Sequence, residues 1–139
     1  MRASFSAILA NLEHIRTFVE QSARILNVPE MAIDDVILAV DEAVTNIILH
    51  GYAGKDGMIE IQMECQGSAL IVRLRDQAPP FDPSNVPGPD LNLGLEHRRP
   101  GGLGVYFIRQ LMDQIQYRAL AQGGNELILV KLFTREENS

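Results

Sequence analysis

The sequence predicts an α+β fold, a two-layer sandwich in which one mostly antiparallel sheet carries helices on one face. Three observations predict it. Apolar periodicity changes along the chain in the order helix, helix, hairpin, long loop, helix, hairpin. The two hairpins leave no room for the crossover helices that a doubly wound parallel sheet needs between its strands. The length of 139 residues fits one domain, 1–139, and would cramp two.

Taking the elements in order, Ile8, Leu12, Ile15, Val19 and Leu26, with Phe18 and Ile25 beside them, recur at helical steps and predict a first helix ending near Asn27, before Pro29. A second helix should run from about Pro29 to His50, with Asp34 and Asp35 early and Gly51 after its end. Its apolar stripe is Ile33, Ile37, Val40, Val44, Ile47 and Ile48. Ile59, Ile61, Met63 and Cys65 alternate with polar residues, Gln66-Gly67-Ser68 turns the chain, and Leu70, Val72 and Leu74 alternate again, which is a β-hairpin. From Ala78 to Gly102 the chain holds six of its seven prolines and little periodicity, so it reads as a lid loop. Leu103, Phe107, Ile108, Leu111 and Met112 restore helical spacing. The runs Ile115–Leu120 and Leu127–Phe133, joined by Gln122-Gly123-Gly124-Asn125, predict a closing hairpin, and Arg135–Ser139 a frayed polar tail.

Composition excludes several function classes. Eighteen acidic against twelve basic residues give a formal net charge of -6, which argues against holding nucleic acid or anionic lipid by charge neutralisation. A single cysteine, Cys65, allows no internal disulfide and no cysteine-based zinc site, and points to a reducing, cytoplasmic setting. No window approaches the roughly 18 apolar residues of a membrane span, and the first ten residues are too short an apolar run for a secretory signal. His14, His50 and His97 lack paired ligand spacing.

Three stretches carry chemistry. In Asp41-Glu42-Ala43-Val44-Thr45-Asn46-Ile47-Ile48-Leu49-His50-Gly51-Tyr52, Glu42, Asn46 and His50 stand at successive four-residue steps and form a polar row on a helix. Such a row either converges on a ligand or is simply the solvated face. Leu38 and Leu49 on one side, with Ala39 and Ala43 on the other, suggest a helix packed on more than one face. Second, Asp76 ends a strand just before Ala78-Pro79-Pro80-Phe81-Asp82-Pro83. A carboxylate there can accept from an exocyclic amine, or the segment is merely a turn that stops the strand. Third, the glycines of Pro100-Gly101-Gly102-Leu103-Gly104 lead straight into a helix, a backbone suited to cradling phosphate although weak evidence alone. Dinucleotide-binding and Walker A spacings are both absent. Arg98 and Arg99 either meet phosphate or form a solvated pair.

In order and spacing these stretches together resemble the histidine-kinase-like ATPase superfamily and its Bergerat-type ATP-binding fold. More narrowly, Asp41-Glu42 through Asn46 with His50-Gly51-Tyr52, then Asp76 with Pro80 to Pro83, then Gly101 to Gly104, look like the anti-sigma-factor serine/threonine protein kinase family. The resemblance spans roughly Ile8 to Phe133. It implies ATP and Mg²⁺ as cofactors, Glu42 as the catalytic residue orienting or deprotonating the attacking hydroxyl, and Asn46 as the metal ligand. It implies a cofactor-binding set of Asn46, His50, Asp76, Phe81, Gly101, Gly102, Leu103 and Gly104, with Asp76 on the adenine amine and the glycine turn under phosphate. The implied function is a kinase that sequesters a sigma factor and phosphorylates Ser or Thr of an anti-sigma antagonist. A nucleotide-binding partner switch without catalysis is the alternative. Two positions depart from the pattern: Ala78 stands where the superfamily usually has Gly, and Glu126 lies near where many relatives have a Thr on the adenine side. The apolar residues of the first helix either leave a surplus patch for a second copy or, with Phe18 and Ile25, complete the monomer core; members of the family are commonly homodimers, so the resemblance implies a homodimer.

Overall fold

The computed structural model describes residues 1–80 and 108–134. Five strands, β1 (Arg2–Ser6), β2 (Met58–Gln66), β3 (Ala69–Asp76), β4 (Gln114–Ala119) and β5 (Asn125–Leu132), form one sheet in the order β1-β2-β3-β5-β4. Every neighbouring pair is antiparallel. Two helices, α1 (Leu12–Ile25) and α2 (Glu30–Asn46), cover one face, so the architecture is the expected α+β sandwich.

Alternation along the strands decides which side is covered. Ile59, Ile61 and Met63 of β2, Leu70, Val72 and Leu74 of β3, and Leu127 and Leu129 of β5 all point into the helix layer and are buried. Residues between them face the other side, where one cross-strand row runs Ser4, Glu60, Arg75, Glu126, Arg118. That row alternates in sign after Ser4, so cross-strand neighbours attract rather than repel.

β1 is an element the sequence reading did not contain. Only Ala3 and Phe5 of its five residues turn inward, too short an alternation to register beside the helical pattern that follows. It is held at the sheet edge by its ladder to β2 and by the Met1 amino group, which donates to the Met63 carbonyl at 2.9 Å. Phe5 meets Phe18 of α1 edge to face, with ring centroids 6.0 Å apart.

The first helix starts later than its periodicity suggested. Ile8 is extended and half exposed, a short 3₁₀ turn spans Leu9–Asn11, and α1 then buries Ile15, Val19, Ser22 and Ala23. Its end is a Schellman motif. Asn27 takes the left-handed conformation at φ 62°, its N–H bonds to the Arg24 carbonyl, and the Val28 N–H reaches back to Ala23. Pro29 then caps α2, which buries Ala32, Ile33, Val36, Ala39, Val40, Ala43 and Val44. A fork of two hydrogen bonds from Arg16 to Asp41, at 2.8 and 3.0 Å, ties the helices together one residue before Glu42.

The second helix does not stop at Gly51. It widens into a π-helical segment, Ile47–Tyr52, and the left-handed residue is Ala53 at φ 53°, with Gly54 following. Both hairpins lie where expected, with one shift: Asn125, read as the last residue of a turn, is the first residue of β5, paired with Asp76. Of the third helix, residues 108–111 are helical, and Ile108 and Met112 are buried. The rest of that helix, most of the lid (81–102) and the polar tail (135–139) lie outside the described residues.

Candidate functional site

The end of α2 and the end of β3 meet through the π segment. A Cβ placed on Gly51 would stand 3.3 Å from the Cβ of Ala78, so the two segments pack closely where larger side chains would separate them. Tyr52 fastens the contact: its hydroxyl donates to the Met58 carbonyl at 2.6 Å and accepts from the Gln77 N–H at 2.8 Å. Room for that ring depends on Gly57, where a Cβ would lie 2.1 Å from the Tyr52 ring.

Along α2, Glu42 is half-buried and Asn46 one turn further is 4% exposed, which removes Asn46 from any solvated face. The Asn46 Nδ2 is buried and has no hydrogen-bond partner among the described residues. An orphaned donor of this kind is costly unless a ligand satisfies it. His50, after the widening of the helix, is exposed. The expectation that the flanks of this row are both packed fails on one side: Leu38 and Leu49 stay 56% and 48% exposed, while Ala39 and Ala43 are buried, because only the alanine side faces the sheet and α1.

Asp76 is 5% exposed at the end of β3. Its Oδ1 accepts from the Ala78 N–H and from the Asn125 Nδ2, both at 2.9 Å. Oδ2 accepts neither bond. Burial pushes the carboxyl above its ordinary pKa, and those two donors oppose the shift without cancelling it. Asn125, itself buried, also lies 3.2 Å from the carbonyls of Ala78 and Pro79, and the Tyr117 hydroxyl donates to its Oδ1 at 2.5 Å.

Sequence reasoning missed Asn125 and Tyr117, and attended to Glu126 instead. Strand alternation separates them: Asn125 faces Asp76, whereas Glu126 points to the opposite side of the sheet. There the fully buried Glu126 sits between Arg75 Nε at 2.5 Å and Arg118 Nε at 2.8 Å, the second an ion pair poorly angled for a hydrogen bond. Burial alone would raise the Glu126 pKa, but the two guanidiniums outweigh it and hold the carboxyl below its usual range. A signal was available, since counting two-residue steps along β5 from the buried Leu127 and Leu129 puts Asn125 on the helix side. An open cleft of about 500 Å³ passes Asp76 on the outer face, between Glu60, Arg75 and Arg118. Phe81, Arg98, Arg99, Gly101, Gly102, Leu103 and Gly104 lie outside the described residues. Among the described residues no group of three or more His, Cys, Asp or Glu side chains is placed to hold a metal.

An antiparallel sheet under helices, a buried asparagine at the end of the second helix and a buried aspartate at the end of β3 together define a histidine kinase-like ATPase domain. The chain belongs to that family, whose description, "Histidine kinase-like ATPase domain", matches residues 5–131. It is similar to the serine-protein kinase RsbW of Bacillus cereus, 35% identical over 109 residues that cover 76% of this chain and 67% of the relative. It is also similar to the anti-sigma F factor of Clostridium kluyveri, 31% identical over 99 residues covering 71% and 70%. RsbW of Bacillus thuringiensis is 34% identical over 109 residues, with coverage of 76% and 67%.

Proposed function

We propose that this chain is an ATP-dependent serine/threonine protein kinase that sequesters a sigma factor and phosphorylates an antagonist of that sequestration. The observation that carries the reading is the coupling of Asn46, with its orphaned buried amide, to the buried Asp76 through one π segment in contact with Ala78. The names of its relatives, a serine-protein kinase and an anti-sigma F factor, supply the protein substrate class and the sigma-factor partner.

The donor set fits Mg²⁺ held jointly with a polyphosphate. An amide oxygen is the hard ligand Mg²⁺ accepts, the remaining ligands being water and phosphate oxygens, so Asn46 suffices without an acidic cluster. When bound, the ion neutralises charge on the transferring phosphoryl group. Asn46 would hold it and donate its free N–H to a phosphate oxygen. Asp76 would accept from the adenine amine through Oδ2. Glu42, one turn from Asn46, would take the proton of the attacking Ser or Thr hydroxyl as its oxygen bonds to the γ-phosphorus and the bond to the β-phosphate bridging oxygen breaks, leaving ADP. His50 and the residues 81 and 101–104 complete the nucleotide pocket in this reading.

The protein acts as a homodimer in the cytoplasm, without nucleic-acid or membrane contacts. Ile8 and Ile25 support the dimer, being 50% and 66% exposed, whereas Phe18 belongs to the monomer through Phe5. Among the described residues no helix is long and apolar enough to cross a membrane. Incubation with γ-labelled ATP, Mg²⁺ and antagonist proteins encoded in the same genome tests the proposal. Label on the antagonist is expected. ATP binding without transfer would leave the nucleotide-sensitive partner switch, and absence of ATP binding would remove both.

A further inference from the structure

We propose that Asn125, held by Tyr117, is a positioning residue that sets the rotamer and charge of the Asp76 carboxylate for ligand recognition. The inference rests on the nucleotide-binding reading above and extends it to two residues outside the motif. Three acceptors crowd the Asn125 Nδ2: Asp76 Oδ1 at 2.9 Å and the carbonyls of Ala78 and Pro79 at 3.2 Å. Turning the amide over would set its oxygen against three oxygens, so it seats one way only. Its Oδ1 then faces the Tyr117 hydroxyl, which donates at 2.5 Å. The result is a directed chain from the phenol of β4 to the amide of β5 to the carboxylate of β3.

The chain does two things for Asp76. It pins Oδ1 together with the Ala78 N–H of the turn that follows, so Oδ2 is aimed by two bonds on its sister atom. It also favours the ionised form, because burial pushes this carboxyl toward protonation and the Asn125 donor is the larger of the two opposing influences. The ionised form is purely an acceptor, so Oδ2 then carries no proton to compete with an exocyclic amine donor.

Among the described residues, the side chains around Asp76 leave that role to Asn125. Ile59 faces it from β2. From the π segment the Tyr52 hydroxyl is engaged by Gln77 and Met58, and His50 is exposed. Arg75 and Arg118 line the outer cleft near Asp76 but are turned to Glu126, with Glu60 3.8 Å from Arg75.

The test uses the full chain in three variants, Asn125→Val, Asn125→Thr and Tyr117→Phe. Val and Thr have the same shape and differ in one hydroxyl that can donate to Asp76. Calorimetry with ATP and Mg²⁺ should show affinity falling roughly tenfold in Asn125→Val, the size expected when a hydrogen bond to a buried charged group is lost, and remaining within about threefold of wild type in Asn125→Thr. Tyr117→Phe should fall between them. The acid limb of ATP binding, taken as the ratio to wild type at each pH so that titration of the ligand cancels, should move to higher pH in Asn125→Val and stay in Asn125→Thr. In the nucleotide-free protein the NMR titration of the Asp76 side-chain carboxyl should move the same way. Equal losses in Val and Thr with the Asp76 titration unmoved would overturn the proposal, as would wild-type behaviour in all three. Failure of the wild type to bind ATP would instead sink the nucleotide reading, and the carboxyl titration would still decide whether Asn125 tunes Asp76.

Discussion

Gly124 lies against the backbone of Asp76 so closely that a Cβ on it would stand 2.1 Å from the Asp76 carbonyl oxygen. Its φ of 89° adds a second requirement for glycine. The hairpin turn that precedes β5 therefore fits under the proposed adenine end of the site only because this residue has no side chain. Gly124→Ala is expected to destabilise the protein by roughly 1–3 kcal/mol, and to weaken ATP binding because Asp76 is displaced. Gly67 offers the contrast, with φ 60° and nothing within 4 Å of its would-be Cβ. Gly67→Asn should cost little, since Asn tolerates that conformation. Urea midpoints of the two variants measure the difference.

The Tyr52 hydroxyl closes the gap between the π segment and two strand ends by serving as donor to Met58 and acceptor from Gln77. Tyr52→Phe keeps the ring, which is 5% exposed as part of the residue, and leaves one carbonyl and one N–H without their partner. A loss of about 1–3 kcal/mol in stability is expected, read by thermal or chemical denaturation. Hydrogen exchange should locate the loosening at the Gln77 amide, and wild-type protection there would contradict the assigned bond.

Asp76 and Glu126 sit on opposite faces at neighbouring register positions and should respond to pH in opposite directions. The Asp76 pKa is raised in the folded protein, so its ionisation costs stability at neutral pH, a cost that disappears as pH falls below the unfolded value. Asp76→Asn should therefore raise the unfolding midpoint at pH 7 while abolishing ATP binding. The Glu126 pKa is lowered, so its contribution is present above the unfolded pKa and is lost as pH falls through the folded one. Glu126→Gln should lose about 1–2 kcal/mol at pH 7 and converge with wild type in acid, the modest size following from the exposure of Arg75 and Arg118, 38% and 63%. Denaturation series between pH 3 and 8 check both signs.

What the sequence could and could not convey follows from the range of the forces involved. Helical and strand periodicities act over ten or so residues, and they located α1, α2 and both hairpins. β1 stayed hidden because two inward residues are too few for a period, and its evidence is its partner β2, 50-odd residues away by the register of Ser4 with Glu60. The π widening after Asn46 was equally unreadable, since a contact with Ala78 and a hydroxyl shared with Met58 and Gln77 accompany it. Asp76 was legible as a carboxylate at a strand end. Its partner Asn125 was not, because a Gly-Gly-Asn run reads locally as a turn and only strand pairing makes it part of a site.

Glu42 and Asn46 share one face of α2 a single turn apart, yet their variants should fail differently. Asn46 is buried with an amide donor that has no partner among the described residues, so Asn46→Ala removes the proposed phosphate donor and the proposed metal ligand together, and ATP affinity itself should drop. Glu42 is half-buried and assigned no ground-state contact with the nucleotide, so Glu42→Gln should leave ATP affinity near wild type. Phosphoryl transfer should instead slow by roughly 10²–10⁴-fold, the range for losing a general base. Calorimetry with ATP and Mg²⁺ reads the first effect, and single-turnover label transfer at saturating ATP reads the second. Were Glu42→Gln to weaken binding as much as Asn46→Ala while transferring phosphate normally once saturated, Glu42 would be a binding residue and the base would have to be sought elsewhere.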